Sequence, residues 1–420
     1  MFSRLHFYLN RLTERLWVRP LLMCLISVAG AFVAKLYEYT PMADATPTLS
    51  YDSVKVLLTT MAGSMLVIAT FAVGSMVASY ASAATKATPR TFPLVVSDDA
   101  SQNALSIFMG AFIFSLIALL VLENDFYTDP GRTALLALVV IVFGVVVVTF
   151  VRWVDSIARL GRLGTIIDKT ERVTEKALVR RRDEPRMRCA PVGDDAGAGV
   201  PITAGTIGYV QQVSVDALQR AAEEAGVRIR VLALPGAFVG PGRDLARVIG
   251  GSPDQPACDD EDTLADCVRA AFRVGSRRTF DDDPRFGLIV LAEIADRALS
   301  PGINDPGTAI DIIGSMVRLF AIWAEEPDAG CGEVKFDRVE VPELAAIDLL
   351  DDAFTPIARD GAAMLEVAVR VQKALASIAA IGRPDLREGA VRHARVALER
   401  AEEAMTHAAD IRAVREASAG

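Results

Sequence analysis

Long runs without charge, all within the first 152 residues, constrain this chain more than any other feature. Between Lys55 and Lys86 lie 30 uncharged residues, between Asp99 and Glu123 there are 23, and between Arg132 and Arg152 there are 19. About 20 largely apolar residues suffice for a helix to cross a bilayer. In lipid the helix is the form that satisfies every backbone polar group within one segment. A fourth run, 15 residues between Arg19 and Lys35, is shorter, but Trp17, Tyr37 and Tyr39 flank it where interfacial aromatic belts sit. It is a poor signal peptide, because its apolar stretch is long and no small-residue cleavage site follows. The reading is four transmembrane helices in residues 1–155.

The short loops set the expected orientation, since cytoplasmic loops are enriched in Lys and Arg. Arg4, Arg11, Arg15 and Arg19 precede the first span, and Lys86 and Arg90 lie between the second and third. Glu38, Asp44 and Asp52 follow the first span, and Glu123, Asp125 and Asp129 follow the third. Both termini are therefore expected in the cytoplasm of a bacterial cell, with the protein multi-pass in its inner membrane. Residues 152–188 hold 11 basic and 6 acidic side chains, and anionic headgroups attract such a segment by about 1 kcal/mol per nearby Lys or Arg.

Net charge changes along the chain, from +5 over residues 1–188 to −14 over residues 189–420. An acidic second half without a basic stripe argues against nucleic acid as a partner. Ile157, Leu160, Leu163 and Ile167 recur at helical spacing among charges, so 156–188 is expected to be a basic helical stalk that packs on a neighbour or on a copy of itself. Residues 189–201 (CAPVGDDAGAGVP) read as a linker. Residues 202–252 read as a small mixed module in the order β-α-β-β: a strand at 206–213, a helix at 215–225, then strands at 227–234 and 245–249. The remainder, 253–420, is expected to be mainly helical, with segments near 260–276, 286–299, 307–324, 343–380 (broken near Pro356) and 384–412. The fold class is thus a four-span α-helical membrane domain followed by an α+β cytosolic domain.

The second span carries the most information about function. On a helical wheel Thr60, Ser64, Ser75, Ser79, Ser82 and Lys86 fall within an arc of about 100°, which the bulky Ile68 and Phe71 interrupt near the middle of the span. One reading is a pore-lining stripe whose Ile68 and Phe71 form a constriction that gates by dewetting. The other is close helix packing, for which Ser, Thr, Gly and Ala are the usual residues, and Gly63 and Gly74 fit that equally well. No ionisable residue lies inside a span, which disfavours a pump or an ion-coupled carrier.

Four segments together carry a resemblance. Arg297-Ala298-Leu299-Ser300-Pro301-Gly302-Ile303-Asn304-Asp305-Pro306 resembles the RALSPGINDP signature of a bacterial membrane-protein family known as domain of unknown function 2254. Thr88-Pro89-Arg90 with Asp98 and Gln102 is similar to its SPR…D…Q loop. Gly208-Tyr209-Val210 with Pro235–Val239 is similar to its GYV…PGDFV module, and Gly275–Gly287 (GSRRTFDDDPRFG) to its G..RT..QD..FG segment. Ala237 and Asp282 depart from the family pattern, where Asp and Gln are usual. The resemblance implies a four-span membrane protein with a cytosolic tail, and no established activity. Within the signature, Arg297, Ser300, Pro301, Gly302, Asn304, Asp305 and Pro306 mark either a helix–helix junction capped by Asp305 or a ligand site at the new helix's N–H groups.

Catalytic and metal motifs are lacking. There is no P-loop, HExxH, GxSxG or dinucleotide fingerprint, so no catalytic residue and no cofactor are expected. The five cysteines have no CxxC spacing, which argues against a disulfide framework or a zinc ribbon. The acidic clusters 259–262 and 281–283 lack the EF-hand pattern, so a solvated cap is preferred to a cation site. The functional expectation is a homo-oligomeric inner-membrane protein in the lipid bilayer, acting as a passive gated ion channel lined by the second span. Its cytosolic domain would regulate the pore by binding a small ion or another cytosolic ligand. The alternative is a non-conducting membrane-anchored sensor or scaffold acting through that domain.

Overall fold

The computed structural model describes residues 18–419 except 38, 40–50, 97–98, 125, 160–161, 194–196, 198, 258, 328–331 and 382. It forms two compact units, Met1–Ile166 and Ile167–Gly420. In the first, four long helices carry the uncharged runs: α1 (Val18–Tyr37), α2 (Tyr51–Lys86), α4 (Asp99–Glu123) and α5 (Asp129–Arg159), with a short α3 (Phe92–Val96) between α2 and α4. Helix α4 is central and packs against α1, α2 and α5. Gly110 on α4 lets α1 approach closely, since a Cβ there would lie 3.1 Å from the Cβ of Met23. Along α2 the buried positions are Val54, Leu58, Met61, Met65, Ala69, Ala72 and Met76. Their spacing of three or four residues makes one narrow apolar seam.

The long helices alternate in direction along the sequence, so α1 and α4, which pack together, run the same way. Lys55 at the start of α2 pairs with Glu123 at the end of α4 (2.6 Å). Lys35 near the end of α1 donates to the Phe126 carbonyl (2.6 Å), 4.9 Å from that ring's centroid. By length and composition five helices are apolar enough to cross a membrane, the fifth being Pro306–Ala324 in the second unit.

The second unit joins a sheet layer to a helical bundle. Its five-stranded sheet has the order β1-β10-β4-β6-β2, from Cys189–Ala190, Phe336–Glu340, Arg228–Val231, Asp244–Ile249 and Val200–Thr203. Strand β1 and the first half of β2 lie in residues that read as a linker, and β10 comes from 84 positions beyond the end of the 202–252 module and inserts parallel to β4. No local pattern announces such a long-range pairing. Strands β3 (Gly208–Val213), β5 (Phe238–Val239) and β9 (Phe272–Gly275) make a second sheet in the order β5-β3-β9, and β7 (Pro256–Ala257) pairs with β8 (Asp259–Thr263). Helix α7 (Val215–Glu224) packs on β10 and on α8 (Leu264–Ala271).

Helices α9 (Pro284–Leu299), α10 (Pro306–Ala324), α11 (Ala346–Asp360), α12 (Leu365–Ala380), α13 (Pro384–Ala404) and α14 (Ala408–Ala419) form the bundle. Three local expectations change. Residues 260–276, expected to be one helix, form strand, helix and strand, with Thr263 as N-cap accepting from the Asp266 N–H. Helix α11 continues through Pro356 and stops at Gly361, where a Cβ would lie 2.5 Å from Val367 Cγ1. Residues 156–188 are not one continuous helix, because α5 ends at Arg159 and α6 (Leu163–Asp183) begins a separate helix. Leu160 lies outside the described residues. The inner side of α6, with Ile167, Thr170, Thr174, Leu178 and Arg181, is buried within its own unit, so that side has no face left for a second copy.

Candidate functional site

The hydroxyl stripe of α2 lies beside the apolar seam rather than on it. Thr60, Ser64 and Phe71 are exposed, and Ile68, Ser75, Ser79 and Ser82 are half-buried. The side chain of Lys86 lies outside the described residues. Phe71 is 66% exposed, yet its ring stands edge-on to Trp153 of α5 at 6.2 Å. Thr59, Thr60 and Thr70 donate to carbonyls four residues back (2.8, 2.7 and 2.9 Å), so these hydroxyls are satisfied within the helix. Nothing lies within 4 Å of a Cβ placed on Gly63 or Gly74. The interior of the four helices is filled by apolar side chains, including Leu58, Met65, Phe108, Phe114, Leu135 and Trp153.

In the second unit two of the family-like segments, Gly208–Val210 with Pro235–Val239 and Gly275–Gly287, converge on one place. Arg278 makes two hydrogen bonds to the buried Asp283 (2.6 and 2.9 Å), and Asp283 in turn caps α9 by accepting from the Phe286 N–H (3.2 Å). The guanidinium of Arg278 lies 5.4 Å from the Phe286 ring centroid. Gly236 backs directly onto this pair with φ +93°, and a Cβ there would lie 2.8 Å from Arg278 Nη2. Only glycine fits both that conformation and that approach. The turn is held to β3 by Gly236 N–H to the Val210 carbonyl (2.8 Å) and Val210 N–H to the Ala237 carbonyl (2.9 Å). Gln211 reaches across to the Arg277 carbonyl (2.8 Å). The segments Gly208–Val210, Pro235–Val239 and Gly275–Gly287 are therefore one assembly around the half-buried Arg278 and the buried Asp283.

Charge around the assembly is matched. Arg180 binds Asp282 (2.7 Å), and Arg285 binds Asp348 (3.0 Å) and Asp352 (2.6 Å). Asp282 and Asp283 thus serve arginines rather than a cation, and among the described residues no cluster could hold a metal. Arg181 is buried, and its Nη1 meets no hydrogen-bond acceptor among the described residues; Asp282 and Asp283 balance its charge at longer range. Burial pushes the nearby Cys189 thiol up to about 12, which makes it a poor nucleophile. Cys267 is disulfide-bonded, whereas the cysteine spacing suggests no disulfide framework.

The signature segment sits at the other end of α9, about 24 Å away by the rise of its 16 residues. The Ser300 carbonyl accepts from the Ile303 and Asn304 N–H groups (3.0 and 2.9 Å), and Asp305 N–H returns to the Ala298 carbonyl (2.8 Å). Asn304 has φ +51°, a value Asn tolerates better than most side chains. Asp305 caps α10 through the Thr308 N–H (3.2 Å) and accepts from its hydroxyl (2.6 Å), which holds the Asp305 carboxyl below its usual range. Pro306 takes the first helical position. Arg297, Pro301, Gly302, Asn304 and Asp305 are exposed, while Ser300 and Pro306 are half-buried. This loop and the α2 stripe are in separate units, and only the loop's own residues are brought together.

The arginine–aspartate assembly is not legible as a site in the sequence, because its members are spread from Arg180 to Asp352. The runs RRR at 180–182, RR at 277–278 and DDD at 281–283 are its only local signal. A cavity of about 180 Å³ between α11 and α13 is lined by Asp351, Thr355, Arg392, His393 and Arg400, among others.

A bundle of long apolar helices, joined in sequence to an α+β unit, defines an integral membrane protein. The family described as "Predicted membrane protein (DUF2254)" matches residues 13–377, and the chain belongs to that family. Among curated proteins it is similar to uncharacterised proteins of Mycobacterium tuberculosis and Mycobacterium bovis, each 33% identical over 143 residues. That stretch is 33% of this chain and 26% of the relative, so the chain matches about a quarter of their length. No solved structure matches the chain.

Proposed function

We propose that copies of this chain associate in the bacterial inner membrane along the outward flank of α2 and enclose a passive, gated ion pore there. The supporting observation is the placement of that flank. Within one copy the four helices pack on a largely apolar interior, with Ser101, Gln102, Ser106 and Ser115 of α4 as buried polar residues. The hydroxyls of Ser64, Thr60 and Ser75, with Gly63 and Gly74, border a surface that the described helices of the same unit do not cover. Small residues let helices approach closely in lipid, and cyclic symmetry closes such contacts into a ring. Ile68 and Phe71 would be the constriction. In this reading four helices span, with both termini in the cytoplasm, as the Lys and Arg distribution favours. Helix α10 is instead a core helix of the second unit: it carries Asp311 and Arg318, and Arg318 binds Glu171 of α6 (2.7 and 2.8 Å). No catalysis is invoked.

The second reading is a non-conducting sensor or scaffold, favoured by the self-satisfied threonines and by the Phe71–Trp153 contact. Ion flux from proteoliposomes, wild type against Phe71→Ser, decides between them. The pore reading expects faster flux in the variant at equal folded content. No flux from either protein in several salts refutes it.

A further inference from the structure

The three-stranded sheet turns one face outward, and its composition is unusual for a solvent face. Ile207, just before β3, and Tyr209 and Gln211 within it lie on the outward side, since Gly208 and Val210 are buried, and a bulge between Val210 and Gln212 leaves Gln212 exposed as well. Phe238 of β5 pairs with Tyr209 in register and joins the same face, with ring centroids 5.2 Å apart. Ile207 is 68% exposed and Phe238 54%. Gly240 lies beside Ile207, where a Cβ would be 3.6 Å from its Cγ1, and Gly275 lies under the amide of Gln211. Two glycines and a flat glutamine therefore leave the face smooth, with the three apolar side chains standing on it.

Arginines surround the patch. Arg243 follows Gly240 in the same turn, its N–H bonded to the Gly240 carbonyl (3.0 Å), and Arg277 offers its carbonyl to Gln211. Arg273 pairs with Gln212 along β9. All three arginines are exposed. A cationic rim around exposed aromatic and aliphatic groups complements an anionic lipid surface, where rings sit at the headgroup boundary and arginines meet phosphates. Three apolar side chains are too few for a stable protein interface, which covers about 800 Å² on each partner. They suffice for a bilayer to which the chain is already anchored, because tethering makes the second contact intramolecular.

We propose that the outward face of the β5-β3-β9 sheet, carrying Ile207, Tyr209 and Phe238 within an Arg243–Arg273–Arg277 rim, docks on an anionic membrane surface. This rests on the chain being a membrane protein and not on the pore.

The test places the photocrosslinker p-benzoylphenylalanine at position 207 of the full chain, in proteoliposomes of phosphatidylcholine with or without phosphatidylglycerol. Lipid adducts are read by mass spectrometry, and the same crosslinker at the exposed Val391 serves as control. The expected result is adduct formation at 207 that rises several-fold with phosphatidylglycerol and falls in high salt. It should also fall with Arg243→Gln and Arg277→Gln, about fivefold for each arginine near the surface. Adducts to a second copy, no adduct at 207, or equal lipid adducts at 207 and 391 would each overturn the proposal.

Discussion

Replacing Gly287 by alanine tests the packing that turns the expected stalk into part of the second unit. Gly287 lies on α9, and a Cβ there would sit 2.7 Å from the Cβ of Thr174 on α6 and 2.8 Å from its Cγ2, and closer still to its hydroxyl. Thr174 has little freedom to move aside: it is 1% exposed, and its hydroxyl is bonded to the Thr170 carbonyl (2.7 Å). The two helices would have to part by roughly 1 Å to restore ordinary carbon–carbon contact. Such overpacking costs about 1–3 kcal/mol. Helix propensity alone works the other way, since Gly→Ala inside a helix gains about 1 kcal/mol. The net expectation is a loss of about 0–2 kcal/mol, which for a unit of this size lowers the melting temperature by about 2–4 °C per kcal/mol. In a Thr174→Gly background the obstruction is gone, and Gly287→Ala should then stabilise. Thermal unfolding of the full chain in detergent reads both backgrounds, and hydrogen exchange over residues 163–183 locates the change. A higher melting temperature for Gly287→Ala in the wild-type background would refute the close approach of α6 and α9.

Three further outcomes follow from the second unit. Glu340→Gln removes the counter-charge that Arg230, 1% exposed, binds at 2.7 Å; the expected loss is about 3–5 kcal/mol in denaturant titration, and a loss below about 1 kcal/mol would mean that the pair is solvated. Burial, reinforced by Asp360 and only partly offset by Arg359, pushes Asp296 up to about 7. Protonation of this group therefore favours the folded state, with its stabilisation complete below about pH 4 and lost as pH rises through about 7. Asp296→Asn should accordingly raise the melting temperature more at pH 8 than at pH 5, and an equal change at both would show that Asp296 does not titrate in this range. Asp305→Ala removes the cap of α10 and should cost about 1 kcal/mol by thermal unfolding, whereas an unchanged melting temperature would mean that the signature segment holds its fold without the cap.

The sequence by itself determined the features that depend on local composition. Uncharged runs place the helices of the first unit, because a membrane helix is a matter of length and polarity. Strand β3, helix α7, the capping of α10 by Asp305 and the start of α13 at Pro384 are equally legible, since each depends on a few adjacent residues. Tertiary structure decided whatever joins distant segments. It inserts Phe336–Glu340 between β1 and β4, buries one side of α6 within its own unit, and gathers Gly236, Arg278 and Asp283 around the start of α9. The stripe on α2 shows the boundary clearly: the helical period puts its hydroxyls on one arc, but only the packing of α4 and α5 onto the adjacent seam leaves that arc uncovered. Helical periodicity groups residues on a face, and what that face meets depends on side chains far away in the chain.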